Sequence, residues 1–109
     1  MAGGEADAIE EYDTALRLKP DSALAHFHLG NSFHKMGRLP EAIAEYQASL
    51  GIDPGVAEVH YELAYALAQI PGRVPEAIAA CQQMLFIDPD NKAGRELMAS
   101  LLAFQDGRR

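Results

Sequence analysis

The chain has 109 residues, 49% of them hydrophobic, which is the size of one domain with enough apolar content for a continuous but narrow core. Sixteen acidic against nine basic side chains leave a net charge of −7 and a pI near 4.9, which argues against duplex nucleic acid or an anionic membrane as partner, since both demand a basic surface. No apolar run approaches the roughly 18 residues of a membrane span, and the start MAGGEADAIE is acidic where a secretion signal is basic and then apolar, so a cytoplasmic location without membrane insertion is expected.

Apolar positions recur at helical spacing throughout, and no alternating stretch is long enough for a strand, so the chain reads as all-α. Helices are expected over residues 5–18, 23–36, 40–50, 57–69, 75–86 and 92–105. Pro20 blocks continuation of the first, and Asp21 or Ser22 can cap the second through a side-chain oxygen. Gly37 can take the left-handed conformation that ends the second helix, and Pro40 then stands where a missing N–H costs nothing, with Glu41 complementing the positive helix start. After Pro54, Gly55 and Val56 are poor caps for the fourth helix. Ile70-Pro71-Gly72 is one residue longer than the matching Met36-Gly37 turn and is expected to bulge. Pro75 and Glu76 repeat the start seen at Pro40, and Asp90 or Asn91 can cap the last helix after Pro89.

Three segments say nearly the same thing: DAIEEYDTALRLKPDSA, EAIAEYQASLGIDPGVA and EAIAACQQMLFIDPDNK. Their prolines, Pro20, Pro54 and Pro89, are 34 and 35 residues apart, a period that marks stacked supersecondary units. Small residues recur where helices must touch: Ala8, Ala42 and Ala77 in one helix of each unit, and Gly30, Ala64 and Ala99 in the other. Leu29, Phe33, Tyr46 and Leu50 fill the space around the first contact, and Leu63, Leu67 and Leu85 the space around the second.

Residues 23–54 carry His26, Leu29, Gly30, Phe33, Ala42, Tyr46 and Pro54 in the slots of W-x2-L-G-x2-Y, A-x3-F and P, and so resemble the tetratricopeptide repeat. Residues 57–89 match more loosely, through His60, Leu63, Ala64, Leu67, Ala77, Cys81 and Pro89. The resemblance implies a right-handed α-solenoid of antiparallel helix pairs in a single domain, 1–109. It would hold a half repeat at 5–20 (second helix only), repeats at 23–54 and 57–89, and a capping helix at 92–105. Two departures matter. Histidine fills the tryptophan slot and Cys81 an aromatic one, so the second repeat is expected to pack less tightly. The helix at 5–18 also has no first helix to cover Ala8, Ile9, Tyr12 and Leu16. Apolar patches above about 400 Å² are rarely bare on a monomer, so self-association through Ile9, Tyr12 and Leu16 is expected, as a homodimer or higher oligomer.

In proteins of this family the first helices line a concave groove. By resemblance its residues here are Leu24, Phe27, His28, Asn31, His34 and Lys35, then Glu58, Tyr61, Glu62, Tyr65 and Gln69, then Glu96 with Ser100 and Phe104. The function this implies is a protein interaction scaffold holding a peptide or helix of a partner. Water-facing aromatics at helical spacing suit docking, although Phe27 and Tyr61 would equally serve to pack adjacent first helices. Some members clamp a peptide's terminal carboxylate with lysine, arginine and asparagine. Of those positions only Asn31 matches, while Phe27, Glu62, Ala93 and Leu97 occupy the others, which disfavours a receptor for a chaperone's C-terminal tail. Glu58, Glu62 and Glu96 instead suit a ligand of basic character, unless they are merely solvated. The alternatives are a homo-oligomeric assembly unit and a docking module cut from a larger protein.

No device for catalysis is visible. His26 and His28 point apart on a helix, His26 and His34 are two turns apart, and no histidine pair has the i, i+4 spacing that zinc favours. Cys81, the single cysteine, has no CxxC partner, and neither a GxSxG elbow nor a glycine-rich phosphate loop occurs. No enzymatic activity, metal or cofactor is expected.

Overall fold

The computed structural model describes residues 4–107 and holds six α-helices and no strand among them. Residues 1–3, which open the acidic stretch MAGGEADAIE, lie outside the described residues. The helices fall into two compact units, Met1–Pro54 and Gly55–Arg109, parted where Pro54 closes the first complete repeat.

The first unit contains α1 (Gly4–Leu18), α2 (Ala23–Lys35) and α3 (Leu39–Ile52), with α2 packed on both neighbours. Ser22 rather than Asp21 caps α2, its Oγ accepting the Ala25 N–H at 3.1 Å. At the other end Gly37, at φ +75°, donates to the His34 carbonyl at 2.9 Å, and the Arg38 N–H donates to the Phe33 carbonyl at 2.9 Å, a Schellman motif. Helix α3 starts at Leu39 without a side-chain cap. There the Arg38 guanidinium reaches forward to the Glu41 carboxylate at 2.9 and 3.1 Å and lies 4.7 Å over the Phe33 ring, which holds the Glu41 carboxyl below the ordinary carboxylate range. α3 runs two residues past the expected end, to Ile52, because Pro54 sets the stop by forcing Asp53 to be extended at φ −137°.

The core of this unit is Phe27, Leu29, Phe33, Ala42, Ile43 and Tyr46, each large side chain contributing roughly 1.5–3 kcal/mol by burial. Tyr46 is fully buried because Gly30 makes room for it: a Cβ at Gly30 would stand 2.7 Å from Tyr46 Cε1 and 3.3 Å from the Ala42 carbonyl oxygen. Ser49 ties the far end of the pair, donating to the Ala23 carbonyl at 2.8 Å.

The second unit contains α4 (Ala57–Ala68), α5 (Val74–Ile87) and α6 (Lys92–Gly107), with α5 packed on both neighbours. Val56 precedes α4 without a side-chain cap bond. The extra residue of the α4–α5 connection is taken up in a type II turn. The Arg73 N–H donates to the Ile70 carbonyl at 3.1 Å, with Pro71 and Gly72 (φ +86°) at the two central positions that favour proline and glycine. Arg73 then pairs with Glu76 at 2.8 Å as Arg38 does with Glu41. Asn91 caps α6, its Oδ1 accepting the Gly94 N–H at 2.8 Å. Val59, Leu63, Leu67, Val74, Ile78 and Met84 form the core. Ala64 and Cys81, both at 0% exposure, stand where Gly30 and Tyr46 stand in the first unit, so the larger side chain on one helix goes with the smaller on the other.

One expected contact is absent. Ala99 is exposed, whereas the buried positions of α6 are Gly94 and Leu101. Gly30 and Ala64 are covered by the helices that follow them, and no helix follows α6 among the described residues. Gly94 instead receives the Met84 side chain, which a Cβ there would strike.

Gly30→Ala is expected to cost about 1–3 kcal/mol, because the rigid Tyr46 ring cannot withdraw. Gly94→Ala should cost less, because the Met84 thioether can swing aside. Ser22→Ala should cost about 1 kcal/mol through loss of the α2 cap. Urea unfolding midpoints of the three variants check the order.

Candidate functional site

In the first unit the residues proposed for the groove lie along α2, and most of them are engaged within the unit. Phe27 is a core side chain at 7% exposure, its ring centroid 5.9 Å from Tyr46 and 5.7 Å from His28. His28 stacks on Tyr12 of α1 at 5.5 Å and 17°. Asn31 Oδ1 accepts from the Tyr46 hydroxyl at 2.6 Å. Lys35 Nζ lies 3.7 Å from a Glu5 carboxylate oxygen, and His34 is half-buried. Leu24 alone of the six is a widely open apolar side chain, at 65% exposure. Ile9, Tyr12 and Leu16 of α1 are half-buried, and no residue of that helix is fully buried.

The second unit presents a different face. Tyr61 and Tyr65, one turn apart on α4, lie with ring centroids 6.3 Å apart and planes within 7°. Tyr61 is half-buried and Tyr65 is 45% exposed. Glu58 and Glu96 are exposed and Glu62 is half-buried. The Tyr61 phenol is held above the ordinary tyrosine range by burial first, then by the negative charge of Glu62, with Glu96 contributing in the same direction. Gln69 donates to the Tyr65 carbonyl at 3.2 Å, so its side chain finishes α4. Aromatic faces and the carboxylates of Glu62 and Glu96 thus lie close together on this part of the second unit.

His26 fills the slot where the family pattern has tryptophan, and it does polar work there. Its Nδ1 is 2.7 Å from Glu45 Oε1 and its Nε2 is 3.1 Å from the Pro20 carbonyl oxygen, so one ring links α2, α3 and the turn before α2. By sequence that slot reads as a packing position, since His26 and His60 share it in successive repeats. The signal was Glu45, nineteen residues on at the facing position of the next helix. Among the described residues no three His, Cys, Asp or Glu side chains gather as a metal site requires, and no helix is long and apolar enough to cross a membrane.

Tetratricopeptide repeat family models match residues 2–57 and residues 33–101. The chain belongs to the tetratricopeptide repeat family. No curated protein matches it. Among solved structures it is similar to the crystal structure of MamA, with TM-score 0.89 and 22% identity over 94% of this chain; it spans 59% of the MamA chain. It is also similar to the first repeat domain of Spaghetti (RPAP3) bound to the HSP90 peptide SRMEEVD, at TM-score 0.89 and 11% identity, over 94% of this chain and 80% of that one. The second repeat domain of human RPAP3 in complex with the HSP70 peptide SGPTIEEVD gives TM-score 0.82 and 18% identity, over 89% and 80% of the two chains. At these identities the likeness is one of fold: an all-α array of tetratricopeptide helix pairs.

Within this tetratricopeptide unit Cys81 is fully buried and its thiol is pushed up to about 11 by desolvation. It is therefore expected to resist a disulfide reagent at pH 8 in the folded protein and to react at once in denaturant, a difference that absorbance at the released thiolate's band would read directly.

Proposed function

We propose that this tetratricopeptide chain is a protein interaction module that holds a peptide or helix of a partner, and that the partner segment carries lysine or arginine. The observation that supports this reading is the stacked Tyr61–Tyr65 pair with Glu58, Glu62 and Glu96 around it. A half-exposed tyrosine pair is a rigid, amphipathic contact surface that loses little conformational entropy on docking. The carboxylates select its occupant by charge. Relatives in this fold hold peptides, and the two peptides named above end in Glu-Glu-Val-Asp. This chain is suited to the opposite charge. Its Asn31, the residue matching a carboxylate clamp, already accepts from Tyr46, and Glu62 stands where a donor would be needed. Phe27 takes no part in the proposed contact, since it belongs to the core.

Fluorescence polarisation with a panel of labelled peptides tests the reading. Arginine- and lysine-bearing peptides should bind more tightly than SRMEEVD, and the binding should weaken as salt is raised. Tyr65→Ala should weaken it by about tenfold, in the range of an exposed aromatic anchor, with little change in Tm because Tyr65 is 45% exposed. A preference for the acidic peptide, or a collapse of the melting transition in Tyr65→Ala, would sink the proposal.

A further inference from the structure

Tyr61 and Tyr65 restrict the shape of whatever docks on them. Their rings lie within 7° of parallel, with centroids 6.3 Å apart. A flat group held between two rings needs about 7 Å, two carbon contacts of about 3.5 Å each, so a guest lies against the pair and not inside it. Tyr65, at 45% exposure, presents the more open ring, since Tyr61 is half-buried. Carboxylates stand near the same rings. Glu62 follows Tyr61 on α4, and Glu96 holds on α6 the slot that Tyr61 holds on α4; both act electrostatically on the Tyr61 phenol. The basic side chains of this unit are placed elsewhere. Arg73 pairs with Glu76 at 2.8 Å, and Lys92 and Arg95 occupy the α6 slots that match Ala57 and His60, not Tyr61.

We propose that the side chain this surface takes is arginine, in preference to lysine. The inference rests on the reading that the partner segment is basic, and it decides which of the two cations that segment presents. A guanidinium has faces and edges of different chemistry. Its face lies flat on an aromatic ring while its N–H groups point outward in the plane, where they donate in pairs to carboxylates. Parallel rings with carboxylates beside them use the face and the edge at once. A lysine ammonium is a compact, strongly hydrated point charge, with no flat face to lay on a ring and no planar fork to offer a carboxylate. In the first unit the same two slots are taken up internally, Phe27 by the core and Asn31 by the Tyr46 hydroxyl. Selection for arginine is therefore a property of the second unit.

Fluorescence polarisation on the whole chain tests this with three labelled glycine–serine peptides, alike except that the basic positions hold arginine, lysine or citrulline, the uncharged counterpart of arginine. The arginine peptide should bind about fivefold or more tightly than the lysine peptide, the range of a cation held over an aromatic ring, and the citrulline peptide should bind most weakly. Tyr65→Phe should keep that ratio because the ring remains. Tyr65→Leu should bring the arginine peptide down to the level of the lysine peptide, with helical circular dichroism unchanged. Should Tyr65→Leu lose its helical signal, the three-peptide comparison on the native chain and on Tyr65→Phe decides. Equal binding of the arginine and lysine peptides overturns this inference and leaves the basic-partner reading standing, as does a ratio that survives in a folded Tyr65→Leu. If neither basic peptide binds better than the citrulline peptide, the basic-partner reading falls and this inference falls with it.

Discussion

The seat that a small residue on the first helix of a pair provides for a larger side chain on the second is the contact on which the rest of this structure depends. In the first unit the seat is Gly30 and its occupant is Tyr46, fitted so closely that a single added carbon would stand 2.7 Å from the ring. That contact sets how near α2 and α3 approach, and the other bonds between them need that approach. The Tyr46 hydroxyl reaches Asn31, Ser49 reaches the Ala23 carbonyl, and Glu45 reaches His26 only because the helices are held at that separation. In the second unit Ala64 and Cys81 share the same space with the sizes redistributed, and both are sealed from solvent.

This exchange of sizes changes the chemistry of the outer face. Where Tyr46 is present, its phenol binds the residue after the seat, Asn31, and the neighbouring Phe27 packs against its ring. Where Cys81 replaces it, the second helix carries a thiol in place of the phenol. The residue after the seat is Tyr65, which lies partly in solvent, beside Tyr61. A substitution inside the core of the second unit thus accompanies an aromatic pair on its surface, with Glu58, Glu62 and Glu96 near it. The first unit spends its equivalent side chains on internal bonds and leaves Leu24 exposed.

The ends of the helices are controlled separately from the core, by local chemistry that acts within a few residues. Prolines stop α3 and α5 by making Asp53 and Asp88 extended, glycines at positive φ turn the chain after α2 and α4, and Arg38 and Arg73 steady the starts of α3 and α5 through Glu41 and Glu76. Because these devices are local, the longer α4–α5 connection is accommodated by a change of turn type rather than by a change in the helices it joins.

Sequence by itself determined what depends on neighbours in the chain or on the repeat period. Helix number and type, the pairs of residues able to cap α2 and α6, the left-handed glycines and the first-turn prolines all follow from steric and hydrogen-bonding rules that span a few residues or one period, whereas the choice of Ser22 and Asn91 as caps and the seating of Tyr46 on Gly30 came from the structure. Helices α3 and α5 run two residues and one residue past their expected ends, to Ile52 and Ile87, since the proline that stops each one acts on the residue immediately before it. Only the tertiary structure decided which side chains along a first helix face solvent and which are consumed. Phe27 and Tyr61 occupy the same slot and read alike, yet Phe27 is buried against Tyr46 and Tyr61 is half-buried and stacked on Tyr65, where the residue opposite on the second helix is Cys81. Ala99 shares its slot with Gly30 and Ala64 but is exposed, since burial belongs to a pair of helices and not to a residue type. A side chain's availability is set by what packs across from it, and that partner lies many residues away, where no local rule can reach.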